Sequence, residues 1–344
     1  MNLFILLSLL AAVTVVSSLI TNFIRYFSIK NKLYDIPNDR SSHDIPKSKG
    51  GGLSIVSILL ITIGILFFNH QIDSDISMSL LIGLSLVAAV GFIDDYKNLP
   101  VSIRAAAYVL AAVLSIYLIG GVSVLSINNY QIQLNEFGYL LAVLFIVWIT
   151  NLYNFMDGTD GFAAIQTICV GLFCGVLLYL SANISYAILL FSLVASTLGF
   201  LYWNWSPAKI FMGDVGSCTI GFLFGLLAVY SGKAEMLPIS IWLILLAPFI
   251  GDATFTLFKR IINKEKWYKA HNSHAYQRLY QSGLTHSQLA VALLGTNIII
   301  IWPFAYFAYS YKNLELVMLI SSYCIIGIIW LLVQHKPNNK AQKN

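Results

Sequence analysis

Carboxylates and amides recur in this chain at the ends of apolar stretches. Asp94-Asp95 comes first, then Asn151, Asn154, Asp157 and Asp160 at three-residue spacing, then Asp214 between Gly213 and Gly216. Adjacent carboxylates at a helix end repel each other and face the negative end of the helix dipole, so a nearby cation relieves them. Hard divalent ions prefer oxygen ligands of this kind. Such residues suit a metal-assisted reaction on an anionic substrate at a membrane surface. The plainer alternatives are an interfacial anchor pair at 94–95, a polar helix end at 151–160 and an N-cap at 214. The two glycines around Asp214 suggest that something bulky approaches the backbone there.

Basic donors accompany the acids. The first polar segment carries Arg40, His43, Lys47 and Lys49, with Pro37 and Pro46, and ends in Gly50-Gly51-Gly52. Backbone amides at a helix start of this kind can approach an anion. Asn204 opens the segment that leads to Asp214. A late polar segment contains His271-Asn-Ser-His274-Ala-Tyr276-Gln277-Arg278. Two histidines three residues apart with no third strong ligand do not make a zinc site. Phosphate or nucleobase contact fits them better. His70, His286 and His335 stand outside these clusters and read as incidental. The four cysteines lie in apolar stretches without a C-x-x-C pair, so neither a disulfide framework nor a zinc site is expected.

The elements that must position these groups follow from composition. Of 344 residues 58% are apolar and 10% charged, far below the charge content of soluble domains, about 25%. Mean hydropathy is +0.78. The fold class is an all-α polytopic membrane protein. About eleven spans are placed at roughly 3–27, 53–68, 78–93, 101–120, 138–153, 161–181, 184–203, 217–232, 237–258, 288–309 and 314–333. The first has no basic residue before its apolar run, so it reads as a retained helix, not a cleaved signal. With the N-terminus outside, eighteen of the twenty Lys and Arg fall on inner segments; only Lys233 and Lys312 lie outside. That asymmetry fixes the expected orientation, puts the C-terminus in the cytoplasm, and explains the net charge of +5 without nucleic acid. The whole chain, 1–344, reads as a single membrane domain with a polar cytoplasmic tail at 336–344. The longest outer loop alternates around Asn128-Asn129, predicting a small periplasmic β-hairpin near 122–134. Asp252 falls inside the ninth span, where a carboxylate faces either a substrate cavity or a structural partner.

In this order the clusters resemble the polyprenyl-phosphate N-acetylhexosamine-1-phosphate transferase family, from about Asp35 to about Gln288. The Asp35-x-Pro-x-x-Arg-Ser-Ser-His43 form of the first loop, with His274-Ala-Tyr-Gln-Arg278, is most similar to the O-antigen-initiating branch. The peptidoglycan branch tends to carry a triple histidine where this chain has His271-Asn-Ser-His274. Pro46-Lys-Ser-Lys49 stands where relatives often have Pro-Thr-Pro-Arg. The resemblance implies a magnesium ion, or manganese, on Asp214. It places Asp94 and Asp95 beside the lipid phosphate, as base or nucleophile, and completes the catalytic set with Asp157 and Asp160. It assigns substrate contacts to Arg40, His43, Lys47, Lys49, Asn154, Asn204, His271, His274 and Arg278. The implied reaction moves a sugar-1-phosphate, N-acetylhexosamine or 6-deoxy amino sugar, from a UDP-sugar to undecaprenyl phosphate in the inner leaflet of a bacterial cytoplasmic membrane. UMP leaves, and O-antigen or another surface polysaccharide is begun on the cytoplasmic face. A lipid phosphate is already largely dianionic near pH 7, which favours its direct attack over a covalent intermediate. A homodimer is compatible with this reading. The competing class is a transporter or flippase of a lipid-linked or anionic solute, which would place ionisable groups near mid-membrane.

Overall fold

A long apolar run in a bilayer must close its backbone hydrogen bonds within itself, which makes it a helix. The computed structural model describes residues 3–35, 46–128, 130–266 and 271–336. The helices up to the site turn are α1 (Leu3–Lys30), α2 (Leu53–Phe68), α3 (Ser74–Lys97), α4 (Val101–Leu118) and α5 (Phe137–Phe155). After the turn come α6 (Phe162–Leu180), α7 (Ile184–Asn204), α8 (Asp214–Lys233), α9 (Ile239–Leu245) and α10 (Ala247–Ile262). The short α11 (Ala275–Gln281) precedes α12 (His286–Thr296) and α13 (Trp302–Ser310), which are joined by a π-helical turn, and α14 (Glu315–Gln334) ends the described chain.

Among the described residues nine helical stretches are long and apolar enough to cross a membrane, with α12 and α13 counted as one; α9 and α10 form a tenth, bent by 73°. The remaining apolar element is α2, whose 16 residues span about 24 Å, less than the hydrocarbon thickness. These elements sit where the eleven spans were expected. Their ends differ where it matters: α3 runs to Lys97, so Asp94 and Asp95 lie within its last turns, not beyond them. The bend between α9 and α10 falls next to Pro248, which has no N–H to give. The carbonyl of Leu245 beside it accepts from Gln166 Nε2 at 2.8 Å. Gln166 Oε1 in turn accepts from Asn297 Nδ2 at 2.9 Å, at the start of the π-turn.

Two antiparallel strand pairs decorate the bundle. β1 (Tyr34–Asp35) pairs with β2 (Lys47–Ser48), and β3 (Val124–Ile127) pairs with β4 (Tyr130–Gln133). The second pair is the expected hairpin. Its turn is tied down: Glu315 accepts from the Asn128 N–H at 2.7 Å, and Asn128 Oδ1 accepts from the Leu316 N–H at 3.1 Å.

α8 is the buried axis around which the site is assembled. Small residues let its neighbours approach closely, as membrane helices require. A Cβ at Gly91 of α3 would lie 2.7 Å from the Asp214 backbone, and one at Gly221 of α8 would lie 2.9 Å from the Ile149 carbonyl of α5. A Cβ at Gly52, just before α2, would lie 2.3 Å from Gly216 Cα. The glycines around Asp214 therefore make room for other parts of the protein, the Asp95 carboxylate at Gly213 and Gly52 at Gly216. Gly52→Ala is expected to cost about 3 kcal/mol or more, because backbone and not a movable side chain must yield. A thermal melt in detergent checks this.

Candidate active site

Three helix ends meet at Asp214, the first residue of α8. Asp95 Oδ1 accepts the Asp214 N–H at 2.9 Å and Asp95 Oδ2 the Val215 N–H at 3.2 Å. These are donors that a helix start leaves without partners, so α3 caps α8. Gly213, at φ 76°, makes room: a Cβ there would lie 2.4 Å from Asp95 Oδ2. Asn154, near the end of α5, donates to Asp214 Oδ1 at 2.8 Å and to Ser217 Oγ at 3.0 Å. Arg104, in the first turn of α4, bridges two carboxylates with one nitrogen, 2.7 Å from Asp94 Oδ2 and 3.1 Å from Asp214 Oδ2. Asp94 also accepts the Leu99 N–H. In sequence Arg104 is only one more inner basic residue; nothing local marks it.

The turn between α5 and α6 holds two carboxylates in opposite states. Asp157 lies beyond the end of α5, half-buried, and no donor among the described residues reaches its carboxylate. Burial and the nearby charges of Asp214, Asp95 and Asp160 push it well above the usual carboxylate range. Asp160 is the reverse. It accepts from Lys47 Nζ at 3.4 Å and from the Ala208 N–H at 3.0 Å, and His286 Nδ1 lies 3.2 Å from its Oδ2. Burial raises its carboxyl, but His286, the Ala208 N–H and Lys47 outweigh burial and lower it to about 2. His286 is thus no incidental residue; it begins α12 and reaches Asp160 across the fold.

The depressed Asp160 carboxyl makes a pH prediction. Its value in the fold lies below the unfolded value of about 3.9, so its stabilisation is fully present above about pH 4 and is lost as pH falls through about 2. The melting-temperature advantage of wild type over Asp160→Asn is expected to shrink over that interval. A constant difference would mean the carboxylate charge contributes nothing.

On the first loop, Lys49 Nζ lies 3.0 Å from Asp35. Burial works to lower its ammonium, but Asp35, with Asp95 and Asp214 beyond, holds it above its ordinary value. Lys47 Nζ also sits 5.1 Å from the Phe211 ring centre. The glycine amides do not await an anion. The Gly51 and Gly52 N–H groups donate to the Phe211 and Met212 carbonyls, each at 2.9 Å, and bind the first loop to the segment before α8. Arg40 and His43 lie outside the described residues.

The late segment props the site and enters the cavity wall at Gln277. Asp252 of α10 accepts the N–H groups of Ala275 and Tyr276 at 2.7 and 3.3 Å, and so caps α11. Asp252 therefore has a partner inside the protein, the start of α11. Tyr276 donates to the Phe155 carbonyl at 3.0 Å and packs where Gly158 lacks a side chain. His274 is buried, its Nδ1 3.6 Å from Asp252 and without a hydrogen bond. Burial and the neighbouring His274 lower His271 to about 4, so it is neutral at neutral pH. Arg278 donates to the Gln334 carbonyl at 3.4 Å. None of these three expected substrate contacts lines the cavity; Gln277 does.

That cavity has a volume of about 230 Å³ and is walled by Asp35, Lys49, Asn154, Asp157, Thr159, Asp160, Asn204, Phe211, Asp214 and His286, among others. Asn204 joins two of its walls, accepting the Gly161 N–H and donating to the Ile210 carbonyl, both at 2.9 Å. Asp94, Asp95 and Arg104 stand behind Asp214, outside the wall. A larger cavity, about 530 Å³, lies at the other end of α8 beside the hairpin, but none of the expected site residues lines it. Among the described residues no three His, Cys, Asp or Glu side chains close on one point, so there is no all-protein metal cage. Magnesium is commonly held by only one or two carboxylates plus substrate phosphates. Asp214 and the unengaged Asp157 on one cavity wall fit that mode.

Comparison with known proteins points to one family. The sequence pattern described as glycosyl transferase family 4 matches residues 77–232. A Bacillus subtilis (strain 168) protein called a probable undecaprenyl-phosphate N-acetylglucosaminyl 1-phosphate transferase is 32% identical over 286 residues, covering 80% of this chain and 78% of that one. A phospho-N-acetylmuramoyl-pentapeptide-transferase of Streptococcus pneumoniae (strain Taiwan19F-14) is 31% identical over 192 residues, covering 53% of this chain and 57% of that one.

Proposed function

The chain belongs to glycosyl transferase family 4, as a polyprenyl-phosphate hexosamine-1-phosphate transferase, and we propose that its donor is a UDP-N-acetylhexosamine and its acceptor undecaprenyl phosphate. The site faces the cytoplasm of a bacterial cell, and the product starts O-antigen or another surface polysaccharide. The observation that carries this reading is the convergence of Asn154, Asp157, Asp160, Asp214 and Lys49, from distant segments, on one polar cavity at the ends of membrane helices.

An oxygen of the lipid phosphate attacks the sugar-bearing phosphorus of the nucleotide sugar. The bond from that phosphorus to the bridging oxygen breaks, and UMP leaves with the bridging oxygen and its electron pair. The physical obstacle is anion meeting anion. Lys49, and Lys47 through the Asp160 wall, supply fixed positive charge beside the cavity. Asn154, Asp95 and Arg104 hold Asp214 in place. Asp214 and Asp157 would hold a magnesium ion, which would supply positive charge to the diphosphate and its leaving group. Direct attack is supported by the state of the paired aspartates: Asp95 is spent on two backbone amides, Asp94 on Arg104 and Leu99. Neither carboxylate is free to serve as nucleophile.

The test is UMP release from a panel of UDP-sugars, with undecaprenyl phosphate and Mg²⁺, by the purified protein. Release that requires the lipid and yields a lipid-diphosphate-sugar supports the reading. A burst of UMP without lipid would overturn direct attack, and no release from any UDP-sugar would overturn the donor assignment.

A further inference from the structure

One wall of the cavity holds a polar side chain with an open hydrogen-bonding position. His286 is 8% exposed, lines the cavity, and has an Nε2 that is buried without a partner. A buried ring nitrogen left without a partner costs free energy that a bound group can recover. Its other nitrogen is committed. Nδ1 lies 3.2 Å from Asp160 Oδ2 and accepts the Asp160 N–H at 3.4 Å. Asp160 thus holds Nδ1 from both its backbone and its carboxylate, and Nε2 is left as the open polar position of the ring. Tyr280 packs its ring 4.6 Å from the imidazole and fixes the plane.

We propose that His286 is a specificity residue for the nucleotide sugar: Asp160 holds its Nδ1, and Nε2 makes a hydrogen bond with a polar group of that substrate. This rests on the donor reading above. The choice between the two substrates follows from the wall itself. The cavity that His286 lines is also walled by Thr159, Asp160, Asn204 and Gln277, all polar. A polyprenyl chain offers such a wall nothing, whereas a nucleotide sugar carries many donors. Thr159 Oγ1, also buried without a partner, adds a second open position on the same side.

Amide substitutions separate the two nitrogens. In His286→Asn the amide nitrogen stands near Nδ1 and keeps the Asp160 contact but has nothing at Nε2; in His286→Gln the amide reaches the Nε2 position. Binding of UDP-GlcNAc to the full-length protein in detergent is measured by calorimetry, and KM for each substrate by UMP release. His286→Ala and His286→Asn are expected to weaken UDP-GlcNAc about tenfold or more, the size of one hydrogen bond to a buried partner. KM for undecaprenyl phosphate should stay unchanged, and His286→Gln should recover most of the loss. If Asn restores binding and Gln does not, or if both KM values shift together, His286 only supports Asp160 and the proposal fails. Wild type that binds UDP-GlcNAc but releases no UMP would sink the donor reading while leaving the binding comparison intact. Wild type that does not bind it would overturn the proposal.

Discussion

Asp214→Asn is expected to lower turnover about a thousandfold while leaving the protein folded, a loss typical of removing one electrostatic anchor from a preorganised site. The fold should survive because Asp95 bonds the backbone N–H groups of residues 214 and 215, not the Asp214 side chain. Asn154 can still donate to the amide oxygen that replaces Oδ1. What disappears is negative charge on the cavity wall, and with it the capacity to hold a divalent cation against the substrate phosphates. The melting temperature in detergent should move by only a few degrees, on the order of 1 kcal/mol. Raising the Mg²⁺ concentration should not restore the rate, since an amide is a poor ligand for a hard cation. Wild-type turnover by a folded Asp214→Asn protein would end the metal assignment.

How far the site was legible in the sequence depends on the range of each interaction. Spans follow from local composition, and the eleven apolar elements stand where the hydrophobic pattern puts them. The Asn154 and Asp214 motifs were legible because each combines a span end with polar residues at fixed spacing. Partnerships across the chain were not. Arg104 and Asp214 are 110 residues apart, and Asp160 and His286 are 126 apart. Arg104 looks like any cation obeying the positive-inside bias, and His286 follows Thr285 at an ordinary capped helix start. The glycines misled for the same reason. Gly52 and Gly216 signal close approach correctly, but only the packed bundle shows that each approaches the other. The late loop differs. His271, His274 and Arg278 have the chemistry of phosphate ligands, yet His274 is buried, His271 is half-buried and Arg278 turns toward α14, and none of the three lines the cavity.

Arg104 is where that missed information has its largest consequence. Arg104→Met is expected to lower kcat about a hundredfold and, in the opposite sense, to lower the Mg²⁺ concentration that gives half-maximal rate. The first effect follows from position. Among the described residues Arg104 is the cation that contacts both Asp94 and Asp214, and without it two carboxylates face each other across a low-dielectric gap with no shared cation. Asp214 then loses the grip that aims it at the cavity, and small misplacement in such a site is costly, about a hundredfold for 1 Å. The second effect follows from charge. A guanidinium in contact with Asp214 opposes a divalent cation there, so removing it makes the carboxylate a stronger ligand. Simple unfolding would lower kcat without tightening Mg²⁺ dependence, so the split separates a positioning role from a structural one. Arg104→Lys should recover part of the rate, because one ammonium keeps the charge but cannot match the planar fork. Weaker Mg²⁺ dependence in Arg104→Met, or an unchanged kcat, would show that Asp214 needs no such partner.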